Sequence, residues 1–237
     1  MSHEQATVAE EEYLQIIFWL QEAGLPMTGA NVARAMQVSA PTVHEMVGRL
    51  EADGYITRAS DQSISFTDEG RGHAETIVRR HRLIERFLTD VFDIPWDQVH
   101  EEAEKLEHWM SPTVEERMLK AIGDADTCPH GHPIFSHKRL PGVPLADVEL
   151  GAKVRILRFE NEAEDLLHYL MESGLNPGQE GTLAESGDEL VVFEADGRTY
   201  SVSHSVAQTV SVSADPSPPP RVALPDQLVL AKEHWGR

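Results

Sequence analysis

Residues Thr28 to Gly70 read TGANVARAMQVSAPTVHEMVGRLEADGYITRASDQSISFTDEG. Thr28 is placed to cap a short helix that runs to Met36, because its hydroxyl can accept from the first free amides. Gln37 and Val38 make a tight turn. Ser39 caps a second helix, with Pro41 in its first turn, where a missing N–H costs nothing. Asp53-Gly54 ends that helix near Ala52. Tyr55 to Arg58 and Ser63 to Phe66 alternate around a polar turn, which predicts a β-hairpin. Upstream, Leu14, Ile17, Phe18 and Leu20 fall at helical spacing over about Val8 to Glu22. Helix, helix, turn, helix, hairpin is the order of a winged helix-turn-helix, a DNA-reading unit whose second helix enters the major groove. The residues at the start of that helix are Ser39, Ala40, Pro41, Thr42, His44 and Glu45. Arg49, and Arg58 on the wing, are placed for the phosphate backbone. A helix-turn-helix used only for protein packing is the competing reading.

Charge argues against DNA at first. The 237-residue chain carries a net charge of −20, and phosphate rewards Lys and Arg. Residues 1–75 hold four arginines, no lysine and twelve acids, a net −8. Such a head needs help to bind DNA, and bound divalent cations would remove several negative charges. An acidic chain with 12 histidines is well supplied with oxygen and imidazole donors.

Downstream, Thr67 caps a long helix to about Asp90, with acids in its first turn. Another helix is expected from Asp93 to about Met110, and a third over Thr113 to Ile122 after Ser111-Pro112. Asp124 to Pro144, rich in Gly and Pro, reads as a linker or extended loop. From Val148 to Val212 the pattern changes to short strands at Gly turns, interrupted by one helix over about Glu162 to Ser173, a small β-barrel-like module. The expected fold is mostly α with small β modules. Its expected parts are a winged helix-turn-helix over 1–74, a helical metal-binding and dimerisation domain over 75–140, a β-barrel over 146–213 and a Pro-rich linker and tail over 214–237. No apolar run reaches the ~20 residues that span a bilayer. The N-terminus lacks the marks of a secretory signal. A single cysteine, Cys128, cannot form an internal disulfide, and the expectation is a cytoplasmic protein.

Two segments carry metal chemistry. In Arg79-Arg80-His81-Arg82-Leu83-Ile84-Glu85, His81 and Glu85 are four apart on one helix face. In His100-Glu101-Glu102-Ala103-Glu104-Lys105-Leu106-Glu107-His108, a helix would place His100, Glu104, Glu107 and His108 within an arc of roughly 100°. Two imidazoles and two carboxylates on one stripe repel and desolvate each other unless a cation sits there. A solvated acidic helix face is the plainer alternative for the second segment alone.

These segments resemble a known family. Tyr13-Leu14, His81-Arg82-Leu83-Ile84-Glu85, Pro95-Trp96-Asp97-Gln98-Val99-His100-Glu101-Glu102-Ala103-Glu104, Glu107-His108 and Pro129-His130-Gly131-His132-Pro133, in this order, are similar to the diphtheria toxin repressor family of iron- and manganese-dependent repressors. The resemblance covers about Val8 to Ile134 strongly. It covers Val148 to Val212, which resembles that family's C-terminal SH3-like domain, more weakly.

The resemblance implies two neighbouring metal sites. It assigns His81, Glu85 and His100 to an ancillary site. Glu104, Glu107 and His108 go to a primary site, completed by Glu12 of the first helix. Iron-responsive members carry Met for Glu12 and Cys for Glu104. Carboxylates at both places here are similar to the manganese-responsive members, and hard oxygen and imidazole donors suit Mn(II). Iron(II), or another divalent transition metal, is the runner-up. The barrel of some members donates a further ligand; Glu160, Glu162 and Glu164 are the candidates here, with no choice among them. Cys128-Pro129-His130-Gly131-His132-Pro133 departs from the family's Ser-Pro-x-Gly-Asn-Pro turn. A structural turn is the preferred reading of it, and a soft site of Cys128, His130 and His132 the alternative. Glu45 replaces a residue that is often Gln, so no operator sequence carries over.

What the resemblance implies is a homodimeric, metal-activated repressor of metal-transport genes that binds double-stranded operator DNA. Shared ligation by Glu12 and the downstream trio would tether head to body and fix the spacing of the two recognition helices. No membrane association and no catalysis are expected. A metallohydrolase or di-metal oxidase would need an open coordination position and a substrate pocket, and the chain offers no nucleophile motif or HExxH. An interaction adaptor, with a purely structural metal and partners bound by the barrel and Pro-rich tail, is the reading from another class.

Overall fold

A computed structural model describes residues 6–213. The Pro-rich tail expected over 214–237 lies outside the described residues. The chain divides into two compact units, Met1–Arg80 and His81–Arg237.

In the first unit, α1 (Val8–Glu22) starts at a capping box, with Thr7 and Glu10 each bonded to the other's backbone amide. Helix α2 (Gly29–Met36) is capped by Thr28 and closed by Gln37 in the left-handed region. Helix α3 (Ala40–Ala52) is capped by Ser39, whose oxygen accepts from the Thr42 amide. Strands β1 (Ile56–Arg58) and β2 (Ile64–Phe66) pair antiparallel, Thr57 opposite Ser65. One core joins them: Leu14, Ile17, Val32, Val43, Leu50, Ile56, Ile64 and Ile77 are all buried. Gly70 is obligatory, because a Cβ there would lie 1.8 Å from the Tyr55 carbonyl oxygen. The winged helix-turn-helix expected from Thr28 to Gly70 is what forms.

Helix α4 (Asp68–Phe92) continues past the division at Arg80. In the second unit its Leu83, Ile84 and Leu88 pack with Val99, Ala103, Met110, Ile122 and Ile134. The single helix expected from Asp93 to Met110 is instead three pieces. A 3-10 turn covers Trp96–Gln98, α5 covers Val99–Leu106, and a second 3-10 turn covers Glu107–Trp109. The break at Leu106, with φ −107, accompanies a Glu107 side chain bonded to His81 rather than displayed along the helix stripe. Helix α6 (Pro112–Ala121) follows, capped by Ser111.

The segment expected to be a linker, Asp124 to Pro144, is a packed loop over much of its length. Cys128, His130, His132 and Ile134 are buried. Buried polar backbone needs partners, and α4 supplies them. Arg82 donates to the Pro133 carbonyl at 3.0 Å, and Arg86 to those of Thr127 and Cys128 at 2.8 and 3.1 Å.

The C-terminal module is a six-stranded antiparallel sheet ordered β3-β8-β4-β5-β6-β7. Its strands are β3 (Val143–Pro144), β4 (Lys153–Phe159), β5 (Glu180–Ser186), β6 (Leu190–Ala195), β7 (Arg198–Ser203) and β8 (Val210–Ser213). Helix α7 (Glu164–Glu172) follows β4, and a single turn, α8 (His204–Ala207), precedes β8. Their apolar core is centred on Ile156, Phe159, Leu167, Leu183, Phe193 and Val212, with Trp96 packed against it.

Candidate metal centre

Helix α4 presents His81 and Glu85 from successive turns, and both are fully buried. Helix α5 brings His100, whose Nδ1 lies 3.1 Å from Glu85 Oε1. The segment after β4 brings Glu162, with Oε2 3.3 Å from the same Nδ1. The packed loop brings His130, with Nδ1 3.3 Å from Glu85 and 3.5 Å from Glu162. Ligand atoms of His81, Glu85, His100 and Glu162 all lie within 4.8 Å of one another, as do those of Glu85, Cys128, His130 and Glu162. The two sets share both carboxylates.

The loop reaches this place by a close backbone approach. Gly131 sits at φ +92, and a Cβ there would meet the Leu157 carbonyl oxygen at 2.0 Å. Only glycine lies easily in that backbone region and at that distance. Phe159 N then donates to the His130 carbonyl at 3.0 Å, and His132 Nε2 lies 2.7 Å from the Phe159 carbonyl. His130 Nε2 donates to the Trp96 carbonyl at 2.7 Å, leaving Nδ1 turned toward the carboxylates.

Electrostatics shows what this packing costs. Burial alone would lower the pKa of His81, but Glu85 and Glu107 more than reverse this, holding it well above the usual imidazole range. His100 is likewise opposed by burial and raised, by hydrogen bonds to Glu162 and Glu85, to about 9. His130 is raised well above its ordinary value by Glu85 and Glu162, again against burial. Glu85 is held well below the carboxylate range, its burial outweighed by His130 and His81. Burial and the charge of Glu85 push the Cys128 thiol up. The paired carboxylates thus favour positive charge at this place, the charge a divalent cation would supply. Even so, Glu85 Oε2 is buried without a hydrogen-bond partner. An unpartnered buried carboxylate oxygen beside a second carboxylate fits a divalent ion, which binds deprotonated ligands.

Each residue singled out in the sequence has a place. Glu107 is buried between two imidazoles, with Oε2 2.6 Å from His81 Nδ1 and Oε1 3.4 Å from His108 Nε2. Glu104 is 54% exposed and lies 3.5 Å from His100. Glu12 is an exposed residue of α1 in the first unit. Glu104, Glu107 and His108 do not join the two clusters above among the described residues. Of the three barrel carboxylates, Glu162 enters the cluster. Glu160 is held by Arg139, Arg158 and Ser211 instead. Glu164 is exposed in the first turn of α7. The preferred sequence reading of Cys128 and His130 as mere turn residues missed their place beside Glu85. The signal was present in their spacing, but only the fold brings α4 and the loop together. His132 is the member left outside both sets.

On the head, Ser39, Ala40, Pro41, Thr42, His44 and Glu45 are all exposed at the start of α3. Arg49 pairs with Glu10 at 2.7 Å, and Arg58 pairs with Glu51.

Comparison with known proteins covers nearly all of the described chain. Residues 6–63 match the iron dependent repressor N-terminal DNA binding domain. Residues 67–136 match the iron dependent repressor metal binding and dimerisation domain, and residues 143–214 match the FeoA domain. The diphtheria toxin repressor of Corynebacterium diphtheriae is 32% identical over 217 residues, spanning 85% of this chain and 95% of that protein. The iron-dependent repressor IdeR of Mycobacterium tuberculosis is 32% identical over 219 residues, with the same coverage of 85% and 95%. Among solved structures, a manganese-dependent transcriptional repressor in complex with manganese superposes with TM-score 0.78 at 28% identity, covering 86% of this chain and 98% of that one. The T. acidophilum IdeR structure gives 0.74 at 29% identity, covering 90% and 100%. The manganese regulator SloR gives 0.71 at 31%, covering 86% and 97%.

Proposed function

The chain belongs to the diphtheria toxin repressor family of metal-dependent DNA-binding transcriptional repressors, and we propose that manganese(II) is its activating ion and metal-transport genes its targets. The observation that carries a metal-activated reading is the cluster of buried Glu85, His81, His130 and Cys128 with partly buried Glu162 and His100. A set this rich in donors is costly to bury for structure alone. We assign Glu85 and Glu162 as the shared carboxylates of the ancillary site. His81 and His100 complete one set around them, and Cys128 and His130 the other. We assign Glu12, Glu104, Glu107 and His108 as the activating ligands, a reading supported by the resemblance of their sequence segments to the family. A bound divalent ion supplies positive charge that neutralises these carboxylates.

The preference for manganese rests on Glu12 and Glu104, oxygen donors that favour a hard ion. Cys128 adds a softer donor to the ancillary set, so the argument from hardness applies to the activating ligands only. Solved relatives include manganese-dependent repressors, whereas some curated relatives are named as iron-dependent. Iron(II) is thus the alternative that metal titration must separate. Operator DNA and a homodimer are the partners, and the cytoplasm the site of action. Among the described residues no helix is long and apolar enough to cross a membrane.

The test is fluorescence anisotropy with DNA from the gene's own upstream region and neighbouring transporter promoters. Mn(II), anaerobic Fe(II) and chelator are titrated in turn. Binding that appears at micromolar Mn(II), not at matched Fe(II), and vanishes with chelator is the expected result. Glu104→Ala, a change at an exposed side chain, should abolish metal-dependent binding while the dimer stays folded. Unchanged operator affinity in that variant would sink the ligand assignment.

A further inference from the structure

The head poses a charge problem that the metal ligands do not remove. Among its described residues, three of the four arginines up to residue 75 already face carboxylates. Arg49 meets Glu10 at 2.7 Å and Asp53 at 3.7 Å, Arg58 meets Glu51, and Arg71 meets Glu75 at 3.9 Å. Arg34 donates to a neutral partner, the side-chain oxygen of Asn31 at 2.9 Å, and Arg71 also donates to the Gln21 side-chain oxygen at 3.1 Å, nearer than Glu75. The face that reads DNA presents neutral donors instead. Ser39 and Thr42 share a 2.7 Å hydroxyl contact at the start of α3, and Gln62 stands exposed on the wing. Two acids sit beside them. Glu45 is exposed on α3, and Asp61 is exposed at the wing tip, where it accepts from Ser63 N and Oγ at 3.0 and 2.7 Å.

Counterion release is what makes most protein–DNA affinity fall with salt: each phosphate neutralised by a free Lys or Arg frees condensed cations. A guanidinium already matched by a carboxylate adds no net positive charge. If it leaves that carboxylate for a phosphate, the abandoned acid must recruit a cation from solution, which cancels the release. Acids set directly against the backbone act in the same direction.

We propose that this repressor holds operator phosphates chiefly through neutral donors and internally compensated arginines, so that its operator affinity depends only weakly on monovalent salt. The proposal rests on the DNA-binding reading of the head and adds to it the kind of contact used. With one uncompensated arginine per head, a dimer neutralises at most about two phosphates. Affinity should then fall only about tenfold between 50 and 200 mM salt, against the 10³–10⁵ typical of six to ten phosphate contacts.

The experiment takes a duplex recovered by Mn(II)-dependent selection from a random-sequence pool. Its affinity for the full chain is measured at fixed saturating free Mn(II) and rising potassium chloride. A fall of about tenfold between 50 and 200 mM is the expected result. Glu51→Gln, which releases Arg58, should steepen the dependence to about 10²-fold over the same range, through about two extra phosphates per dimer. A wild-type loss of 10³-fold or more would overturn the proposal while leaving the repressor reading intact. So would a Glu51→Gln variant with unchanged salt dependence. Recovery of no duplex with either Mn(II) or Fe(II), at any salt, would overturn the DNA-binding reading and this proposal with it.

Discussion

His100 offers a direct measure of how much the ancillary cluster leans on positive charge. Its side chain is 16% exposed, between Glu85 and Glu162, and its pKa stands at about 9 against an ordinary 6.5. At about 1.36 kcal/mol per unit, this shift stabilises the protonated, metal-free fold by about 3 kcal/mol. Because the folded value is the higher one, that stability is fully present below the unfolded pKa and is lost as pH rises through the folded one. Urea unfolding of chelator-treated protein, followed from about pH 6 to about pH 10, should therefore show falling stability. In His100→Gln the fall should be smaller by about 3 kcal/mol. The same linkage makes metal affinity rise with pH, since the ion must displace these protons. Parallel stability profiles for wild type and His100→Gln would refute the reasoning, because His100 would then carry no proton in the folded cluster at neutral pH.

Gly131→Ala places a Cβ 2.0 Å from the Leu157 carbonyl at a positive φ. The loop must move off β4, and an ancillary-site affinity lowered by at least tenfold in calorimetry is expected, with the head's own fold unchanged. Cys128→Ser keeps the loop but exchanges a soft donor for a hard one. Cd(II) added to the wild type should produce a sulfur-to-metal charge-transfer band in the ultraviolet that the variant lacks, while Mn(II) binding changes little. His168→Ala removes the partner 2.6 Å from buried Asp97. Leaving that carboxylate unpaired should cost about 1–3 kcal/mol, read as a lower urea midpoint at pH 7.

The head was legible almost to the residue. Ser39 and Thr28 cap through hydrogen bonds to amides three positions on, and the hairpin alternates over a few residues. Nothing distant was needed to read them. The stripe from His100 to His108 was legible only in part. Local periodicity describes one continuous helix, yet Glu107 is drawn to His81, 26 positions away, and the helix tightens into a 3-10 turn. The loop from Asp124 looked like a linker because Gly and Pro dominate it. Its order comes from Arg82 and Arg86 of α4, which satisfy its carbonyls from some 40 to 50 positions away.

The sequence by itself determined the order of modules, the helix-turn-helix with the exposed residues at the start of its second helix, and the donor types of the candidate metal ligands. These follow from capping, from hydrophobic period and from side-chain chemistry, which act over a few residues. Tertiary structure decided which donors meet. It selected Glu162 over Glu160 and Glu164, brought Cys128 and His130 beside Glu85, and set Arg49 and Arg58 against carboxylates. The physical reason is that ligation and ion pairing act over a few ångströms in space. That distance is set by backbone approaches such as Gly131 against Leu157, which no spacing along the chain encodes.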